Sequence, residues 1–103
     1  MRLLYNVTTH VDHEISTAWQ DFMEKFYIPR MMDGPYFESF KMMKVLGDEN
    51  ETGITFAVQY VATDLDHFMS FQENVLPELT QIQRSLFQDK CVSFKTLMQI
   101  LAD

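Results

Sequence analysis

Asn6, Thr8 and His10 recur at every second position near the N-terminus, and Gln59 stands on a similar alternating run further along. If both runs are strands, the four side chains point to one side of a sheet. Convergent polar groups in an otherwise apolar pocket orient a small ligand. The plainer account is that they hydrogen-bond one another or water across an interface, since buried polar groups need partners with or without a ligand. His10 and Tyr60 are the groups that could move a proton or steady a substrate anion. His10, Asp12 and His13 together suggest a metal cluster, but three ligands from one short segment are rarely well arranged, and Asp12 reads better as a helix cap. No metal site is expected. Cys91 is the only cysteine. It begins an edge strand with no helix N-terminus or histidine to activate it, so it reads as inert. No Gly-rich phosphate loop, nucleophile elbow or metalloprotease motif occurs, and no cofactor is expected.

The elements that must hold these groups follow from periodicity. Residues 54–61 alternate: Ile54, Phe56, Val58 and Tyr60 on one side, Thr55, Ala57, Gln59 and Val61 on the other. Neither side carries charge, which predicts a central strand covered on both faces. Residues 3–11 repeat the pattern, with Leu3, Tyr5, Val7, Thr9 and Val11 opposite Leu4, Asn6, Thr8 and His10. Asp12 then caps a helix whose apolar stripe is Ile15, Ala18, Trp19, Phe22 and Phe26. Pro29 interrupts it near Ile28 and opens a short piece through Arg30, Met31 and Met32, ended by Gly34-Pro35. Residues 37–46 form a second strand, with Phe37, Met43 and Val45 on one side and Phe40, Met42 and Leu46 on the other. Lys41 and Lys44 mark it as an edge. The acidic, turn-rich residues 47–53 make the tip of a hairpin and read as a solvated loop. Thr63 and Asp66 give a capping-box pattern for a long second helix, with Leu65, Phe68, Val75, Leu79, Ile82 and Leu86 at helical spacing. Pro77 should kink or split it. Residues 91–101 are the last strand, with Val92, Phe94, Thr96, Met98 and Ile100 facing away from Cys91, Ser93, Lys95 and Leu97.

This order predicts an α+β, ferredoxin-like βαββαβ fold over residues 1–103 as one domain: a four-stranded antiparallel sheet with two helices on one face. The first and third strands are central. The other face would expose Leu4, Ala57 and Val61 with apolar groups from the edge strands, and a second copy packed sheet to sheet would cover it. A homodimer of the dimeric α+β barrel type is therefore expected. With 15 acidic against eight basic side chains, a net charge of −7 opposes binding to nucleic acid or to anionic membranes. The start of the chain turns polar at Asn6 and no apolar run is long enough to span a membrane, which, with a lone cysteine, points to the cytoplasm. The eight methionines suit an adaptable pocket, though core filling is the simpler account.

Residues 3–8 (Leu-Leu-Tyr-Asn-Val-Thr), Trp19, Ile28-Pro29, Val58-Gln59-Tyr60 and Phe94 resemble a family of uncharacterised bacterial proteins, mainly from Bacteroidetes, that carries only a domain-of-unknown-function label. The likeness runs along almost the whole chain and implies a small cytoplasmic protein without bringing an activity. More distantly, the layout is similar to the dimeric α+β barrel superfamily, which includes cofactor-free monooxygenases, haem-degrading enzymes and muconolactone isomerases. Asn6 is placed like the first-strand asparagine of the haem-degrading members. Those also need a histidine further along the second helix, where this chain offers only His67 in the first turn. The leading expectation is a small apolar or aromatic ligand bound on the sheet face opposite the helices. The alternatives are a cofactor-free monooxygenase or isomerase, and a protein-interaction module using an exposed edge strand.

Overall fold

In the computed structural model, which describes residues 1–47 and 52–103, two long strands form the middle of one antiparallel sheet. β1 (Leu3–Asp12) and β3 (Gly53–Ala62) pair along their whole length, Tyr5 opposite Tyr60 and Val7 opposite Val58. The shorter β2 (Ser39–Lys44) and β4 (Cys91–Gln99) flank them in the order β2-β3-β1-β4. This is the ferredoxin-like arrangement predicted, with the lysine-bearing strands at the edges. The centre of the predicted acidic tip, residues 48–51, lies outside the described residues.

The alternation seen in sequence sets the layers. Leu3, Tyr5, Thr9 and Val11 of β1 and Phe56, Val58, Tyr60 and Ala62 of β3 are buried on the helix side. Gly53 is required where β3 starts beside β1, because a Cβ there would meet the Val11 carbonyl oxygen at 2.1 Å.

The first helical arm departs from expectation at Pro29. Ile28 keeps helical angles (φ −63°, ψ −45°), so the helix is not interrupted there. The chain runs through α1 (Ser16–Phe22), a π-helical turn at Met23–Tyr27, and α2 (Ile28–Met32). Pro29 lacks an N–H and its ring would crowd the carbonyl four residues back; widening the preceding turn accommodates both. The wider turn also moves the buried stripe. Trp19, Met23, Tyr27 and Met31, each four residues apart, face the sheet, while Ala18 and Phe26 are exposed. Asp12 stands at the start of this arm but its side chain makes no capping hydrogen bond; a short 3-10 turn, His13–Ile15, intervenes.

β2 is shorter than the predicted 37–46 because Phe37 leaves the strand to enter the core. In register, Phe40 and Met42 share the side of Tyr60 and Val58, so strand parity would send Phe37 to the opposite face. Instead its ring packs 4.8 Å from Phe71 and 5.3 Å from Tyr60. Burying a phenyl ring outweighs two more residues of edge pairing.

The second arm splits at Pro77 as expected, into α3 (Leu65–Asn74) and α4 (Leu76–Phe87). Its cap is Asp64, one residue beyond Thr63: the Asp64 carboxylate accepts the His67 backbone N–H at 2.8 Å. Phe68, Phe71, Val75, Leu79 and Phe87 are its buried side; Leu65 and Leu86 are exposed. No helix among the described residues is long and apolar enough to cross a membrane.

Candidate functional site

The side chains singled out in sequence are divided by the sheet. Asn6, Thr8, His10 and Gln59 share the face without helices, as the registers Asn6–Gln59 and Asn6–Thr96 require. Asn6 Nδ2 donates to Thr8 Oγ1 at 3.0 Å. His10 Nδ1 lies 3.1 Å from Thr55 Oγ1 and Nε2 lies 3.0 Å from Thr52 Oγ1, so both ring nitrogens are engaged. Asn6 and Thr8 thus bond each other, and His10 is tied to two threonines of the neighbouring strand and its approach. Tyr60, the other candidate for proton chemistry, is on the helix side, so His10 and Tyr60 cannot act on one substrate within a protomer. Among the described residues no cluster of three His, Cys, Asp or Glu side chains could hold a metal ion.

Around these polar groups the open face is apolar. Val92, Phe94, Met98 and Met43 are exposed there, Phe94 to 68%, with Leu4, Ala57 and Val61 half-buried between them. This is the bare surface that alternation predicted.

A cavity of about 250 Å³ lies on the helix side, between α1, α4 and the sheet. Its floor is built from buried side chains: Trp19 and Tyr27 of the first arm, Val58 and Tyr60 of β3, and Thr9 of β1. Its rim is exposed and polar: Lys95 of β4 with Arg84 and Gln88 at the end of α4. The cavity exists because α4 does not roof the second half of β4, where Lys95 and Leu97 stay exposed although they share the helix face. Thr9 Oγ1 and Ser93 Oγ, 2.8 Å apart, tie β1 to β4 along its wall.

Two lining residues carry polar atoms without a partner. Tyr60 Oη and Trp19 Nε1 are buried and make no hydrogen bond among the described residues. Such groups cost free energy until something accepts from them. Burial drives the Tyr60 phenol far above its ordinary range and pushes Tyr27 up to about 12. Both stay protonated at neutral pH, so neither is a general base, and the Tyr60 hydroxyl is closed off from the open part of the cavity. Burial also raises the Cys91 thiol, which borders the cavity, and keeps it unreactive. Gln88 adopts φ 54° and ψ −126°, a strained conformation for a residue with a side chain, at the cavity rim.

The sequence reading missed this site. Its signal was the parity of three polar residues. Thr9, Ser93 and Lys95 fall on the core-facing side of their strands, where an apolar residue would otherwise stand.

A model of the family described as a domain of unknown function, DUF4286, matches residues 2–101. The chain belongs to this family. No curated protein matches it. This DUF4286 chain is similar in structure to SnoaB, a cofactor-independent oxygenase from Streptomyces nogalater, at 13% identity and TM-score 0.68, covering 98% of this chain and 95% of that one. It is similar to a dimeric ferredoxin-like protein from an uncultured marine organism, at 10% identity and TM-score 0.68, covering 99% and 97%. It is also similar to the hydroxynitrile lyase of Passiflora edulis, at 15% identity and TM-score 0.65, covering 98% and 97%. Likeness at such identity shows the fold alone, that of the dimeric α+β barrel proteins.

Proposed function

We propose that this DUF4286 protein is a cytoplasmic homodimer that binds a small apolar or aromatic molecule in the cavity between its sheet and its helices. The observation that carries this is the cavity itself, whose floor of Trp19, Tyr27, Val58 and Tyr60 lies beneath a polar rim of Lys95, Arg84 and Gln88. Apolar walls with a few polar groups are the usual make-up of a ligand pocket. The open face supports the dimer. Its exposed Val92, Phe94 and Met98 form the kind of patch that a lone protomer rarely leaves in water. A two-fold partner would cover it without blocking a cavity on the other side of the sheet. The polar set Asn6, Thr8, His10 and Gln59 then belongs to the interface.

Isothermal titration calorimetry with 2-naphthalenemethanol, a neutral aromatic, tests the binding reading. One site per protomer with a dissociation constant below about 1 mM is expected. Absence of heat at saturating probe, with the protein folded, would remove it. Sedimentation velocity should give twice the protomer mass at micromolar concentration.

A further inference from the structure

Several of the eight basic side chains are held in ion pairs. Arg2 pairs with Glu38 and Asp103, Lys25 with Asp21, Arg30 with Glu78 and Lys90 with Glu14. Lys95 and Arg84 make no ion pair among the described residues, and both border the cavity. Lys41 of β2 makes none either, but it lies on the opposite face of the sheet; Lys95 and Arg84 share one opening, in a chain with 15 acidic and eight basic side chains.

The Lys95 position adds to this. It stands on the core-facing side of β4, opposite Val7, where an apolar residue would extend the floor. Burial alone lowers its ammonium from the ordinary lysine range, with no carboxylate acting in the opposite direction. Its side chain is nonetheless exposed at the rim, where an incoming anion can reach the ammonium. Arg84, in the last turn of α4, borders the same opening near the strained Gln88.

We propose that the ligand is an aromatic monoanion, a carboxylate carried on one or two fused rings. Its ring system lies against Trp19, Tyr27 and Tyr60, and its carboxylate sits at the rim between Lys95 and Arg84. The inference rests on the cavity being the ligand site and specifies what that site selects. The buried phenols cannot ionise at neutral pH and so add no competing charge.

The test compares 2-naphthoate with 2-naphthalenemethanol, which share a ring system and differ in charge, by calorimetric titration of the intact protein. Naphthoate should bind at least roughly tenfold more tightly, as a charge-assisted contact provides. Lys95→Met and Arg84→Met should each remove most of that preference while leaving naphthalenemethanol within about twofold of its original affinity. Lys95→Arg should keep the preference. Lys25→Met removes one positive charge elsewhere and should change neither affinity, which separates local pairing from net charge. Circular dichroism confirms folding of each variant. Equal affinity for the two probes, or a preference that survives both methionine variants, would overturn the inference and leave the cavity as a site for neutral aromatics. If neither probe binds, the cavity reading fails and this inference falls with it.

Discussion

Replacing Tyr60 with phenylalanine should stabilise the protein. Removing a buried tyrosine hydroxyl normally costs free energy, because the oxygen usually holds a hydrogen bond. Here Tyr60 is 1% exposed and its Oη has no partner among the described residues. Deletion takes away a desolvated group and leaves the ring contacts with Phe37, 5.3 Å away, and Tyr5, 6.2 Å away, intact. The unpaired hydroxyl costs about 1–3 kcal/mol, and the small void left behind offsets part of the gain. A net gain of about 1 kcal/mol corresponds to a rise in Tm of roughly 4–8 °C for a domain of this size. Thermal melts of wild type and Tyr60→Phe followed by circular dichroism read this directly. Tyr5→Phe is the companion, since Tyr5 Oη is also unpaired but does not line the cavity. It should likewise stabilise, and neither variant should change naphthoate affinity, because both hydroxyls are closed off from the cavity. The two rings touch, so their effects need not add. A fall of 4 °C or more for Tyr60→Phe would mean the hydroxyl is already satisfied within the protein and would refute this reasoning.

Phe94→Asp, a charge in the exposed apolar patch of the open face, should raise the dimer dissociation constant at least about thirtyfold while leaving far-ultraviolet circular dichroism unchanged. Sedimentation equilibrium measures it; an undisturbed dimer would mean that another surface is the interface. Gln88→Gly relieves a positive φ and should stabilise by about 1 kcal/mol in a denaturant titration, an outcome that a real left-handed strain requires. Asp64→Ala removes the cap of α3 and should lower Tm at pH 7. The backbone N–H of His67, with its ring, holds the Asp64 carboxyl below the usual range. A depressed folded value means that the contribution is complete above the unfolded pKa and is lost as pH falls through the folded one. The difference in Tm between wild type and Asp64→Ala should therefore shrink in acid, and a difference constant from pH 7 to pH 2 would contradict the capping geometry.

Sequence reading reached the architecture because strand alternation is a local property. Tyr5, Val7, Phe56 and Val58 declare their face within a few residues of chain, and uncharged β1 and β3 could only be central. It failed where packing competes with local rules. Pro29 forbids a regular α-turn but tolerates a π turn, and the choice depends on what Trp19, Met23 and Tyr27 gain by facing the sheet together. Phe37 abandons its strand for the aromatic cluster around Phe71, which lies far along the chain. The cavity was hidden for a similar reason. It is a gap between α4 and β4, and no spacing within either element reports how closely they approach. What was visible was the wrong parity of Ser93 and Lys95, a polar pair on a core-facing side, which reads as an anomaly only once α4 has a position.

The two faces of the sheet can be distinguished in one nitrogen–proton correlation spectrum. The Trp19 indole N–H and the Gln83 side-chain amide report on the helix-side cavity, and the Asn6 and Gln59 side-chain amides report on the open face. On titration with 2-naphthoate, the Trp19 and Gln83 signals should shift in proportion to occupancy while those of Asn6 and Gln59 stay in place. Shifts confined to Asn6 and Gln59 would put the ligand on the opposite side of the sheet and contradict the account.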